Sequence, residues 1–270
     1  PEELDPDALV LPVGMMGAPT VMVEKLPGGV ELSIASEALE THLGERATAV
    51  MATEAGGINS TLAIIVAVQR GIPLVDADLV GRAFPELQMC TPTLYGTMAC
   101  PMALADDKGN TSILQAVTNR WAEQLARTMT IEMGCSSYIA LFVMTGKQAK
   151  EAVVAGTISY IEAIGRAIRE SHAAHTDPIE TVRNATNGFV LWRGKITDLN
   201  RRTETGFARG TATIEGLGDF EGRDLQIDFQ NEFLMAREGE RTLASTPDLI
   251  TILDAETGHA ITTESLRYGY

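Results

Sequence analysis

The chain has 270 residues, 45% hydrophobic and 21% charged, and its 36 acidic against 21 basic side chains leave a formal charge of −15. That balance excludes a disordered chain and, with no basic stripe to neutralise phosphates, a nucleic-acid partner. Cys90, Cys100 and Cys135 show neither CxxC spacing nor an even disulfide set, no run of about 18 apolar residues exists, and "PEELDPD" is too acidic for a signal peptide; a reduced, cytoplasmic protein off the membrane is expected.

From Leu9 to about Thr186 short apolar runs alternate with helical patterns, the rhythm of a parallel α/β sheet. "LVLPVG" reads as a strand, Ser36 to Gly44 as a short helix, "ATAVMAT" as a strand, Asn59 to Arg70 as a helix and "IPLVDAD" as a third strand. "TMACPMALADDKGNTSILQAV" reads as a hairpin turning over Asp107 to Asn110. Trp121, Leu125 and Met129 recur every four residues, which predicts an amphipathic helix over Asn119 to Met133 with that stripe buried. "SSYIALFVMTG" has the continuous apolar run of a strand covered on both faces. Ile158, Ile161, Ile164 and Ile168 share a helical face that reads as core, and Asp177 before Pro178 marks the start of a last helix.

After "NATNG" the period changes. Leu225, Ile227 and Phe229 alternate with polar residues, "REGER" supplies a hairpin turn between that strand and "TLAS", and "GFARGTATIEG" and "DLITILD" also read as strands. The expected fold class is therefore α/β: a mostly parallel sheet with flanking helices over residues 1–185, then a smaller, mainly β domain over 186–270.

In such sheets ligands bind outside the carboxyl ends of the strands. "VGMMGAPT", "TEAGGINS" and "DADLVGRAFPE" each follow a strand, so Gly14, Gly17, Glu54, Gly56, Gly57, Asn59, Asp76, Asp78, Arg82 and Glu86 are expected on one rim. Glu54, Asp76 and Asp78 are the candidate catalytic residues; Gly17, Gly56, Gly57, Asn59, Arg82 and Glu86 are the candidate substrate-binding residues.

Each motif has a bland rival. "GMMGAPT" falls short of GxGxxG and lacks a P-loop lysine, and its alternative is a tight turn. "EAGGINS" either aims free helix amides at a polar ligand or is an ordinary cap by Asn59 or Ser60. Asp76 and Asp78 at i, i+2 share one face of a straight strand, where two carboxylates cannot both ionise cheaply, so one becomes an acid or base. Two alternatives stay open: a divalent cation at Asp76 and Asp78, which is not favoured, or Arg82 neutralising one while the other caps a turn. No cofactor is expected otherwise. His172 and His175 have helical spacing but no third ligand, and neither a thiolate pattern nor a GxSxG elbow is present.

Six segments in order, "GMMGAPTVMVEKL", "TEAGGINS", "DADLVGRAFPELQM", "WRGKITDLNRRTETGFARGTATIEG", "FQNEFLMA" and "TPDLITILDAETG", resemble the S-methyl thiohydantoin desulfurase family over about residues 10 to 270. The resemblance implies an N-terminal α/β domain, a mostly β C-terminal domain and a setting among hydantoinase and oxoprolinase-type enzymes. It also implies a glycine-rich segment upstream of Pro1 and further sequence beyond Tyr270, so the chain is expected to be trimmed at both ends. The implied reaction converts an S-methyl thiohydantoin to a hydantoin and methanethiol, which needs a base for water and an acid for the leaving group. The alternative is a heterocycle-binding or scaffolding module that partners a hydantoinase/oxoprolinase-type enzyme. A hydantoin-like small molecule and a homo-oligomer are the expected partners.

Overall fold

The computed structural model describes residues 1–270, which divide into two compact units, Pro1–Ser159 and Tyr160–Tyr270. The first unit runs β1 (Leu9–Gly17), α1 (Pro19–Met22), α2 (Glu31–Leu43), β2 (Ala49–Ala52), α3 (Asn59–Arg70), β3 (Ala77–Asp78), α4 (Thr91–Leu94), β4 (Met102–Ala105) and β5 (Thr111–Leu114). It continues with α5 (Asn119–Glu132), β6 (Ser136–Ala140), β7 (Met144–Thr145), α6 (Gly146–Ala152), β8 (Val154–Ala155) and the first turn of α7 (Thr157–Ala174). No helix is long and apolar enough to cross a membrane.

The α/β class with a separate β sheet holds, and within the first sheet the strand directions are mixed rather than mostly parallel. The order is β2-β1-β6-β4-β5, with β7 also on β1. Parallel pairing joins β1 to β2, with Val10 opposite Ala49, and Val50 to Leu74. The pairings of β6 with β1 and β4, of β4 with β5 and of β7 with β1 are antiparallel. The physical reason is that alternation of apolar runs and helices reports which elements alternate, not the direction in which a run enters the sheet. Asp106 to Asn110 reverse the chain into a hairpin, and the run after α5 then inserts between β1 and β4.

Side chains of β1 split by parity between two cores. Val10 and Met16 join Ala122 and Ala126 of α5 on one face, while Leu11 and Val13 join Leu39 of α2 and Ala63 and Val66 of α3 on the other. The helix over α5 forms as expected, but with a different face inward: Ala122 and Ala126 are fully buried, whereas Trp121 is 52% and Leu125 39% exposed. Small side chains let the helix approach the sheet, and its buried stripe also carries Glu123 and Arg127. "IPLVDAD" leaves the sheet after Leu74, and Ala77 and Asp78 pair instead with β8.

The second unit holds the rest of α7, then α8 (Pro178–Ala185), β9 (Gly194–Glu204), β10 (Phe207–Gly216), β11 (Asp224–Gln230), β12 (Glu232–Glu238) and β13 (Arg241–Ser245). The five strands form an antiparallel meander over a core that includes Ile214, Leu225, Ile227 and Phe229. Asp177 caps α8 by accepting from Ile179 N and Glu180 N. This unit begins earlier than the change of period near 186 because α7 and α8 pack on its terminal loops: His172 Nε2 lies 2.6 Å from Thr257 O, and Pro178 is packed on Gly258. Two strand details also differ. Asn231, with φ 57°, turns the chain from β11 into β12, so "REGER" joins β12 to β13; "DLITILD" contributes only the bridge of Leu253 to Ala260.

Candidate active site

The three glycine-bearing loops meet side by side because their strands are neighbours. Thr53 N donates to Val13 O at 3.1 Å, and Leu79 N donates to Thr53 O at 3.3 Å, so the chain ends of β1, β2 and the third apolar run form one rim. Gly14 belongs to that joint: a Cβ there would collide with Thr53 Oγ1 and press on the Asn59 amide.

Glu54 leaves the end of β2 and is enclosed by the other loops. Its Oε1 accepts from Asn59 Nδ2 at 2.7 Å and its Oε2 from Phe84 N at 2.9 Å. Asn59 is itself fixed, its Oδ1 accepting from Met15 N at 2.7 Å. The residue as a whole keeps some exposure, but protein surrounds its carboxyl group. Burial raises the Glu54 pKa to about 7; the Phe84 amide and Asn59 oppose the rise, the charge of Asp78 adds to it and the charge of Arg82 works against it.

Asp78 is fully buried and organises the following loop. Its Oδ1 accepts from Gly81 N at 2.7 Å, and its Oδ2 accepts from Ala55 N. Burial pushes its carboxyl above the usual range against the pull of the Gly81, Ala55 and Val80 amides. Asp76 does something else. Its Oδ1 accepts from Ser159 N at 3.0 Å and its Oδ2 from Ser159 Oγ at 2.6 Å, so it caps the start of α7. Burial opposes its ionisation, but the Ser159 hydroxyl and the Ser159 and Ile158 amides outweigh burial and hold it below the usual range. The two aspartates therefore serve different partners, because the strand between them turns out of the sheet to pair with β8. No group of three His, Cys, Asp or Glu side chains is placed to hold a metal ion.

The remaining expected residues divide. Arg82 Nε donates to Ala83 O at 3.0 Å, with its charge close enough to act on Glu54. Glu86 accepts from Gln88 Nε2 at 2.5 Å. Gly17 lies against the carbonyl of Cys135, just before the neighbouring strand β6, where a Cβ has no room; its role there is packing. Gly56 and Gly57 flank Glu54: a Cβ on Gly56 would sit 3.9 Å from Glu54 Oε1, and Gly57 is exposed with nothing near it. Neither Asn59 nor Ser60 caps α3 with its side chain; Ser60 Oγ accepts from Gly56 N at 3.1 Å. The amides of Gly57, Ile58 and Asn59 consequently make no hydrogen bond within the chain.

Three residues join this neighbourhood that the sequence reading missed. Glu123 of α5 accepts from Leu87 N at 3.0 Å and pairs with Arg127 at 2.8 Å, and Arg127 Nη2 donates to Pro85 O at 3.0 Å. Cys90 is 1% exposed, and burial together with the charges of Glu54, Asp78 and Glu123 pushes its thiol well up, so it stays protonated at neutral pH. The i, i+4 spacing of Glu123 and Arg127 was a signal available in the sequence; nothing in the sequence marked Cys90.

Fold and site together define a two-unit α/β protein with a near-neutral carboxylic acid at a strand-end rim. The chain belongs to the S-Me-THD-like family: the family's N-terminal domain pattern matches residues 1–116 and its C-terminal domain pattern matches 117–270. No curated protein matches it. An X-ray crystal structure of a protein from Chromobacterium violaceum, a structural genomics target, is similar at 25% identity with a TM-score of 0.79, covering 97% of this chain and 71% of that one.

Proposed function

We propose that the protein hydrolyses an S-methyl thiohydantoin to a hydantoin and methanethiol, with Glu54 as a single group that acts first as base and then as acid. The observation that carries this reading is a carboxyl group with a pKa of about 7, next to three unbonded amides at the start of α3. A group half ionised at neutral pH suits both directions of proton transfer.

On this reading the ring carbonyl takes the amides of Gly57 and Ile58, and the protonated isothiourea carbon faces Glu54. Water adds to that carbon as its proton passes to the Glu54 carboxylate, and the C=N electron pair moves to the ring nitrogen. The adduct then collapses: its hydroxyl proton goes to solvent, C=O forms, the C–S bond breaks and Glu54 returns its proton to sulfur. Asn59 positions Glu54, while Asp78 fixes the loop and adds negative charge beside it. A small substrate of this kind fits a cytoplasmic protein whose three cysteines are all free.

A second reading is a binding module for the same heterocycle beside a hydantoinase-type enzyme. It is favoured by the commitment of both Glu54 oxygens and both Asp78 oxygens to donors within the chain. Incubation of the protein with an S-methyl thiohydantoin, with released thiol followed by a colour reagent, separates the two. Turnover that falls about a hundredfold or more in Glu54→Gln supports the hydrolase, in line with general-base contributions. Saturable binding without thiol release supports the module, and undiminished turnover in Glu54→Gln overturns the role of Glu54.

A further inference from the structure

In the second unit His172, in the last turn of α7, meets His259 of the terminal loop, with ring centroids 5.4 Å apart and planes tilted by 56°. His175, three residues on from His172, lies past the end of the helix with φ 54°. Both meeting residues are open to solvent, yet each is held from behind. His172 Nε2 lies 2.6 Å from Thr257 O, a carbonyl that can only accept, so this nitrogen carries the proton and Nδ1 keeps its lone pair in the neutral ring. The loop that carries His259 is fixed by Asp254, whose Oδ1 accepts from Glu256 N at 3.1 Å and from Thr257 N and Thr257 Oγ1 at 2.8 Å each. The His259 ring itself makes no hydrogen bond within the chain; its backbone amide donates to Thr257 Oγ1.

A ligating imidazole characteristically donates its other N–H to a carbonyl, which fixes the tautomer and aims the ring, and His172 does this through Thr257. The spacing agrees. With imidazole N–Zn bonds of about 2.0–2.1 Å each ring centroid stands about 3.2 Å from the ion, and centroids 5.4 Å apart then subtend about 115° at it, close to tetrahedral. Charge favours a cation between the rings: the negative end of the α7 dipole lies at His172, and the Asp254 carboxylate is close enough to His259 for their charges to interact. No third His, Cys, Asp or Glu completes the set, which leaves the remaining coordination positions to water. Imidazole donors select late first-row ions over Mg²⁺ and Ca²⁺, which take oxygen ligands.

We propose that His172 Nδ1 and one ring nitrogen of His259 bind a single late first-row divalent cation, which staples the 254–259 loop to the end of α7. The inference does not depend on the chemistry at Glu54.

Calorimetric titration of the whole, chelator-treated chain with ZnCl₂ at neutral pH tests it, with excess Mg²⁺ present to occupy oxygen sites. The expected result is saturable uptake of one ion per chain and a thermal midpoint raised by about 5 °C or more when Zn²⁺ is at about a hundred times its Kd. His172→Ala and His259→Ala should each weaken binding about tenfold or more and remove that rise. His42→Ala and His175→Ala, at the other two histidines, should leave both unchanged. Because the His259 ring holds no hydrogen bond, His259→Ala keeps the midpoint of the metal-free chain and separates lost ligation from lost folding. Absence of saturable Zn²⁺ binding overturns the proposal. So does binding that both variants retain at full strength, which places the ion elsewhere, or binding that excess Mg²⁺ abolishes, which assigns it to carboxylate oxygens.

Discussion

Raising the pH from 5 to 8 should destabilise the first unit through Glu54 by at most about 3 kcal/mol. Its carboxyl titrates near 7 in the folded chain against 4.5 for the unfolded one. The folded state therefore binds the proton more tightly, so the stabilisation is fully present below the unfolded value and is lost as pH rises through 7. Between pH 5 and 8 the linkage integral is about 2–3 kcal/mol, an upper figure because the residue retains some contact with water. Glu54→Gln removes the ionisation. It also turns one of the two acceptors at Asn59 and Phe84 into a donor, at a cost of about 1–3 kcal/mol that does not vary with pH. The assay is thermal unfolding of wild type and variant at pH 5, 6, 7 and 8, followed by circular dichroism. The difference between the two midpoints should shift by about 5–10 °C in favour of the variant from the lowest pH to the highest, at ~2–4 °C per kcal/mol. Carboxylates that do not interact with Glu54 are common to both proteins and cancel; the coupling to Asp78 is part of the Glu54 contribution. Midpoints that run parallel across this range would refute the assignment of a raised pKa to Glu54.

Two further outcomes follow from the same geometry. Glu123→Gln keeps volume and an acceptor for Leu87 N but removes the carboxylate opposite Arg127; with these residues 4% and 8% exposed, the loss should be about 3–5 kcal/mol in urea unfolding, and a loss below about 1 kcal/mol would show that the pair is solvated. Asp76→Asn should leave thiol release unchanged and weaken the capping of α7 by about 1 kcal/mol, most visibly at neutral pH, because the advantage of an ionised cap fades as pH falls through its lowered pKa; a large loss of turnover would return Asp76 to the catalytic group.

Local signals carried several elements in both units. The expected limits of α3 coincide with Asn59–Arg70, the Asp107 to Asn110 turn does join two strands, and Asp177 before Pro178 does open a helix, since each depends on residues close in sequence. Strand direction was not legible, because β6 sits beside β1 through contacts more than a hundred residues apart. The inward face of α5 was misread for a similar reason. The four-residue recurrence of Trp121, Leu125 and Met129 marks an apolar stripe, but the adjacent stripe of Ala122 and Ala126 fits closer to the sheet.

The acidic run "VDADLVGRAFPE" shows where sequence spacing stops informing chemistry. A period of two places Asp76 and Asp78 on one face only while the strand stays straight. Here the strand leaves Val50 after Leu74 and turns onto β8, so one aspartate caps α7 and the other accepts from Ala55 and Gly81. The rest of the segment is held by Glu54, which accepts from Phe84 N, and the residue just after it by Glu123, which accepts from Leu87 N. Carboxylates that accept from backbone amides are normally drawn toward low pKa values. Glu54 departs from that rule because burial outweighs the Phe84 amide and the Asn59 side chain, and because the loop that encloses it brings Asp78 close. The same loop packing that consumes Asp78 and Glu123 as structural acceptors thus leaves Glu54 as the carboxyl group poised near neutrality, on the loop before the acidic run.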